Sequence, residues 1–204
     1  MSVKIAVLVS GGGTNLQALI DARGTVLKSG EIALVVSNHA DAYALERAKK
    51  AGIPAEVILK KVCGSQEAFE ARLLEVLAEY GIDVIILAGF MTILTKNFTS
   101  RYPGRILNVH PSLIPSFCGE GFYGLRVHQA ALDYGVKVTG ATVHFVNEIP
   151  DGGEIIAQKA VYIEPGDTPE SLQRRVMEQA EWILLPRAAE TVCAGLRDTG
   201  GTDL

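Results

Sequence analysis

The chain predicts an α/β protein: a doubly wound, mostly parallel sheet that finishes with an antiparallel strand pair and a long C-terminal helix. Two observations carry this. In the first half, continuous apolar β-rich runs alternate with amphipathic segments over short links, the pattern of right-handed crossovers between parallel strands. In the second half, two long strand-like runs face each other across a turn-rich link, and a helical stretch closes the chain. The opening run "VKIAVLVS" (3–10) is β-rich and continuously apolar from Ile5 to Val9, as expected of a strand covered on both faces. After "GGGTN" a helix starts near Asn15 and turns Leu16, Leu19 and Ile20 to one side. "EIALVVSN" (31–38) is the second strand, and a helix from about Asp41 follows, with Leu45 and Ala48 expected inward and Gly52 as its stop. "PAEVIL" (54–59) reads as a third, shorter strand. The cleanest helix runs from Gln66 to Tyr80, capped by Ser65, closed by Gly81, with Phe69, Leu73, Val76 and Leu77 on one stripe. "DVIILAG" (83–89) and "RILNVH" (105–110) are strands four and five. "VKVTGATVHFV" (136–146) and "EIIAQKAVYI" (154–163), joined by "NEIPDGG", read as the antiparallel pair. Thr168 caps the last helix with Pro169 at its first position, and Pro186 is expected to kink or end it.

Length and composition bound the functional classes. A chain of 204 residues with 48% hydrophobic and 21% charged residues suits one domain with a sizeable core, drawn at 1–197 with a loose tail at 198–204. The net charge of −4 supplies no global field for nucleic acid, and no apolar run reaches membrane-spanning length. The N-terminus lacks a signal-peptide pattern, and the three cysteines, with no Cys-x-x-Cys pair, suit a reducing, cytoplasmic setting. Of these, Cys118 alone lies in a suggestive segment.

Chemistry concentrates at three places. "SGGGTN" sets three glycines between a buried strand and a helix N-terminus, where backbone N–H groups and the helix dipole favour an anion. Leu16 holds the third position of a dinucleotide fingerprint and no Gly-Lys-Ser/Thr follows, so the loop points to phosphate without a dinucleotide. In "ILNVHPSLIP", Asn108 and His110 are two apart on one strand and share a side, and Pro111 bars its continuation. Ligands of open α/β sheets gather at the carboxyl ends of strands. An amide donor beside an imidazole there is suited to hold a developing oxyanion and to move a proton. Asp151, in "NEIPDGGEII", is the carboxylate with the most suggestive setting, although Asp-Gly is also ordinary turn chemistry. His110, His128 and His144 form no short chelating pair, so no metal is expected.

The segments "VLVSGGGTNLQALI", "LAGFMTIL", "ILNVHPSLIPSF", "GVKVTGATVHFVNEIPDGGEIIAQ" and "DTPESLQRRVMEQAEWILLP" resemble the phosphoribosylglycinamide formyltransferases of purine synthesis, folate-dependent enzymes with a Rossmann-like fold. The resemblance spans the chain in order, and its most specific part is Asn108, His110, His144 and Asp151 in the spacing Asn-x-His-Pro-Ser-Leu and His-x(6)-Asp-x-Gly. It implies Asn108, His110 and Asp151 as a catalytic trio. It further implies that Gly13, Thr14 and Asn15 hold the phosphate of glycinamide ribonucleotide and that Glu181 contacts the same substrate. Met91, Thr92, Ile93 and Leu94, with Gln66, would serve 10-formyltetrahydrofolate, a consumed cosubstrate, with no metal and no nicotinamide. No nucleic-acid or membrane partner is implied, and monomer and weak homodimer both stay open. Thr92 and Gln66 replace an arginine common in relatives, Trp182 replaces a frequent histidine, and the loop over 117–124 is enlarged, with Gly124 as the matching glycine. Within the same fold a formyltetrahydrofolate hydrolase and a methionyl-tRNA formyltransferase are alternatives, each expected to carry a further domain. A non-catalytic binder of a phosphorylated metabolite is the alternative from another class.

Overall fold

The structure, a computed structural model, describes residues 2–198. Seven strands form one sheet: β1 (Val3–Val9), β2 (Gly30–Ser37), β3 (Ala55–Val57), β4 (Val84–Leu87), β5 (Ile106–His110), β6 (Val138–Phe145) and β7 (Ile155–Tyr162). Their spatial order is β3-β2-β1-β4-β5-β6-β7. The pairs from β3 to β5 are parallel, whereas β5–β6 and β6–β7 are antiparallel. The predicted class therefore stands. Alternation along β1 explains why that strand is apolar at every position from Ile5 onward. Val3, Ile5, Val7 and Val9 pack into one buried cluster, while Ala6 and Leu8 pack into a second.

Helices cover both faces. On one side α1 (Thr14–Asp21), α2 (Tyr43–Lys50), α7 (Pro169–Val176) and α8 (Trp182–Asp198) contribute Leu16, Leu19, Ala44, Ala48, Leu172 and Leu185 to the first cluster. On the other, α4 (Gln66–Glu79) inserts Phe69, Leu73, Val76 and Leu77 against Leu34, Ile85 and Phe98. The Ser65 hydroxyl caps α4 by accepting from the Ala68 N–H at 3.1 Å, as its sequence position required. Thr168 and Ser171 exchange side-chain and backbone bonds in a capping box that starts α7. Three short helices were not anticipated: α3 (Lys60–Cys63), α5 (Lys96–Thr99) and α6 (Leu125–Tyr134).

Two local expectations need correction. In α2 the small Ala44 and Ala48 are the buried residues and Leu45 is only half-buried, because the buried face packs closely on the glycine loop, with Ala44 Cβ 2.6 Å from where a Cβ on Gly13 would stand. Pro186 does not end the last helix. The chain passes through a π-helical turn at Met177–Glu181 and continues as α8, with Pro186 inside it. The carbonyl that the missing Pro186 N–H would have engaged belongs to Trp182, the first residue of α8, so the lost bond falls where the ladder already changes register. Of the expected tail at 198–204, Asp198 closes α8 and residues 199–204 lie outside the described residues.

The β6–β7 hairpin leans on glycine at two points, and at the first a Cβ on Gly140 would stand 2.1 Å from the Lys159 carbonyl oxygen. A Cβ on Gly153 would stand 1.7 Å from the Phe145 carbonyl oxygen, so the two strands meet there only because no side chain intervenes. Gly153→Ala is expected to destabilise the protein by about 2 kcal/mol or more, measured by urea unfolding.

Candidate active site

The site is assembled where the sheet changes from parallel to antiparallel. The register of β5 against β6 sets Asn108 opposite His144 and His110 opposite Thr142. Asn108 and His110 leave β5 on one side, as their spacing demanded, and the hairpin after β6 folds Asp151 back onto them. The Asp151 Oδ1 lies 3.4 Å from Asn108 Nδ2, and its Oδ2 lies 3.4 Å from His110 Nδ1. The trio expected from sequence is thus brought together in space.

Other groups fix its orientation. The His144 Nδ1–H donates to the Phe145 carbonyl oxygen at 2.8 Å. In a neutral ring this leaves Nε2 to accept from Asn108 Nδ2 at 3.1 Å. Both amide hydrogens of Asn108 therefore face acceptors, which sets which way the amide points. The His110 Nε2–H donates to the Phe117 carbonyl oxygen at 2.9 Å, and Asp151 Oδ2 accepts from the Gly119 N–H at 2.8 Å. A carbonyl oxygen faces one ring nitrogen of His110 and a carboxylate faces the other, so both nitrogens stand opposite acceptors. Desolvation pushes the Asp151 carboxyl up, but the His144 ring, with Nε2 3.5 Å from Oδ1, the His110 charge and the Gly119 N–H outweigh it, and its pKa falls below the ordinary value. Phe117 and Asp151 are the only non-glycine residues at positive φ among those described, 49° and 55°. Both touch His110, so the backbone strain of the described chain is localised at this cluster.

The cluster opens into a cleft of about 670 Å³. Met91, Thr92 and Ile93 line one wall, and Phe122, Tyr123 and Ile149 contribute from the opposite side. Leu94 points into the core, 5% exposed, and is not part of the lining. Gln66 also lies outside the lining. Its Nε2 donates to the Ile93 carbonyl oxygen at 3.2 Å and to Glu70 Oε1 at 2.6 Å, bracing the wall from behind. Buried Glu70 completes the brace by accepting from the Thr95 N–H and hydroxyl. The Cys118 hydroxyl-like thiol contact is to the Pro115 carbonyl at 3.3 Å, and burial followed by the Asp151 charge raises its pKa, away from thiolate chemistry.

The glycine loop stands at the carboxyl end of β1, outside the lining of this cleft. Gly13 caps α1 at φ 71°, and a Cβ there would fall 2.6 Å from Ala44 Cβ. Asn15 Nδ2 donates to Glu181 Oε2 at 2.7 Å, and the Thr14 hydroxyl meets Met177 Sδ at 3.8 Å. The π-helical turn thereby brings Glu181 to the loop from the far end of the chain. Burial raises the pKa of Glu181 against the opposing Asn15 hydrogen bond. Sequence reasoning assigned His144 no role of its own and passed over Glu70, Gly119 and the Phe117 carbonyl. Strand register decides His144, backbone direction decides Gly119 and the Phe117 carbonyl, and the packing of α4 against the 93–95 segment decides Glu70.

Among the described residues no three His, Cys, Asp or Glu side chains form a group that could hold a metal ion, and no helix is long and apolar enough to cross a membrane. A glycine loop before a helix and an amide–imidazole–carboxylate cluster, both on a doubly wound sheet, are a layout suited to group transfer. The formyl transferase profile matches residues 3–188, and the chain belongs to that family. It is 47% identical over 183 residues to a phosphoribosylglycinamide formyltransferase of Haemophilus influenzae, covering 90% of this chain and 84% of the relative. It is also 47% identical over 198 residues to the trifunctional purine biosynthetic protein adenosine-3 of Gallus gallus, covering 97% of this chain but only 19% of that protein. The crystal structure of glycinamide ribonucleotide transformylase 1 from Symbiobacterium toebii superposes with a TM-score of 0.89 at 43% identity, over 95% of this chain and 89% of the other.

One histidine near the site has a measurable consequence. His128 on α6 is fully buried with neither ring nitrogen hydrogen-bonded. Burial, with the His110 charge as the lesser cause, lowers its pKa from 6.5 to about 4. Between those values the unfolded chain takes up a proton that the native ring does not, so stability rises with pH across this window and is lost on acidification. His128 accounts for a loss of about 2 kcal/mol between pH 7 and pH 5. In His128→Gln that increment disappears, as read from urea midpoints at the two pH values.

Proposed function

We propose that residues 1–197 form one formyltransferase domain that moves the formyl group of 10-formyltetrahydrofolate to the amine of glycinamide ribonucleotide in purine biosynthesis. The observation that carries this reading is the convergence of Asn108 Nδ2 and His110 Nδ1 on the Asp151 carboxylate, each at 3.4 Å, beside a cleft large enough for a pterin. The glycinamide amine attacks the formyl carbon, and the carbonyl oxygen becomes an oxyanion. Asn108 and a protonated His110 hold that oxyanion, while the His110 Nδ1–H stays on the Asp151 carboxylate. Asp151 stabilises the charged imidazole and, with water, helps carry the proton released by the attacking amine toward the folate nitrogen. That nitrogen leaves as its bond to the formyl carbon breaks.

Met91, Thr92 and Ile93 hold the pterin; Gln66 and Leu94 act by supporting that wall. Gly13, Thr14 and Asn15 take the substrate phosphate, and Glu181 contacts the same ribonucleotide. The protein works in the cytoplasm without metal or nicotinamide and without nucleic-acid or membrane partners, as a monomer or a weak homodimer. Support comes from the named phosphoribosylglycinamide formyltransferase of Haemophilus influenzae and from the extent of that match.

The test is loss of formyl from 10-formyltetrahydrofolate with and without glycinamide ribonucleotide. Turnover is expected only with the ribonucleotide, and Asn108→Ala is expected to lower kcat by about 10²–10³. Formyl loss without ribonucleotide would instead identify a hydrolase, and near-normal turnover in folded Asn108→Ala and His110→Ala would remove the trio from the chemistry.

A further inference from the structure

The glycine loop is held open from one side by α2. The Gly11 carbonyl oxygen accepts from the Ala44 N–H at 3.1 Å, and the Gly12 carbonyl oxygen accepts from Arg47 Nε at 2.8 Å. A trans peptide plane points its N–H opposite to its C=O. Both carbonyls face α2, so the Gly12 and Gly13 N–H groups face away from it, and neither donates a backbone hydrogen bond among the described residues. Gly13 itself packs against Ala44 too closely for any side chain. The loop is therefore a pair of free amide donors, turned outward by two bonds made behind them.

Arg47 makes one of those two bonds and is itself clamped. Its Nη1 donates to Gln17 Oε1 at 3.0 Å on α1, and its guanidinium lies over the Tyr43 ring, 5.1 Å from the centroid. One planar fork thus ties the loop carbonyl to the helix that follows the loop, a geometry that lysine cannot reproduce. It also sets a positive charge behind the amides. Neither Arg47 nor Gln17 carries a role in the trio, and no ion pair neutralises Arg47 among the described residues.

We infer that Arg47 is the positioning residue of the phosphate site: it orients the Gly12–Gly13 peptide so that its N–H meets the substrate phosphate. The inference rests on the reading of the glycine loop as the site for the ribonucleotide's phosphate. It places the specificity for a phosphorylated substrate partly on α2, a helix that does not follow the loop in the chain.

The test compares glycinamide ribonucleotide with the unphosphorylated glycinamide riboside in wild type, Arg47→Ala and Arg47→Lys, with inorganic phosphate as a competitive inhibitor. In Arg47→Ala the preference for ribonucleotide over riboside, measured as the ratio of kcat/KM values, is expected to fall about tenfold. The loss should reside in KM for the ribonucleotide, with inhibition by phosphate weakened in parallel. Arg47→Lys should restore little of it, because charge without the fork leaves the peptide unheld. A folded Arg47→Ala that keeps the wild-type ratio and phosphate inhibition would overturn the inference while leaving the loop as the phosphate site. Wild-type enzyme with no preference between the two substrates would overturn the phosphate reading itself, and the inference with it. Full rescue by Arg47→Lys would assign the effect to charge alone and overturn the positioning role.

Discussion

The antiparallel pairing of β5 with β6 is the constraint on which the site depends. Parallel strands deliver their carboxyl ends to one edge of the sheet, so β1, β4 and β5 all present loops there. A further parallel strand would have brought only another loop. Because β6 runs the other way, its last residues come back past His110 toward the start of β5, so that Phe145 stands across from Leu107 and His144 directly across from Asn108. The connection to β7 leaves from there and folds back over the strand pair, and it carries Asp151 onto Asn108 and His110. One reversal of strand direction thus brings a strand pair and a turn to a single point, at short loop-closure cost.

What gathers there is a buried polar network, and such networks are tolerated only when their members are paired. Nearly every donor and acceptor in the cluster has a defined partner: Asn108 with His144 and Asp151, His110 with Phe117 and Asp151, Asp151 also with the Gly119 N–H. Two of these partners come from the backbone of the enlarged 117–124 loop. The loop contributes to the electrostatics of the trio as well as to the wall of the cleft. Holding Phe117 and Asp151 at positive φ costs on the order of 1–3 kcal/mol each. The surrounding hydrogen bonds are what keep them there.

The ribonucleotide side follows a different economy. The glycine loop has few side chains to pair, and its conformation is imposed from neighbouring helices: α2 fixes its carbonyls, and the π-helical turn supplies Glu181 to Asn15. A π turn widens the helix locally and re-aims the residues after it. It also gives the chain a place to admit Pro186 without ending the helix. Sequence reading took that proline at face value, as a breaker, because the register change that accommodates it has no signature in residue type.

The fold class, the strand order of elements along the chain and the faces of α4 were legible because they rest on local periodicity and caps, such as Ser65 before Gln66 and the unbroken apolar run of β1. The identities of Asn108 and His110 as a pair were legible for the same reason, since two residues apart on a strand means one side. Asp151 was legible as a candidate carboxylate from its turn and as a member of the trio only by resemblance, and the separate parts played by His144, Glu70, Arg47 and the Phe117 carbonyl were not legible. Leu94 and Gln66 lie in the right segment but behind the cleft wall. Periodicity and capping are properties of neighbours in sequence, which the amino acids alone determine. Register between distant strands and the direction of a peptide plane depend on which surfaces pack together, and only the tertiary structure decides those.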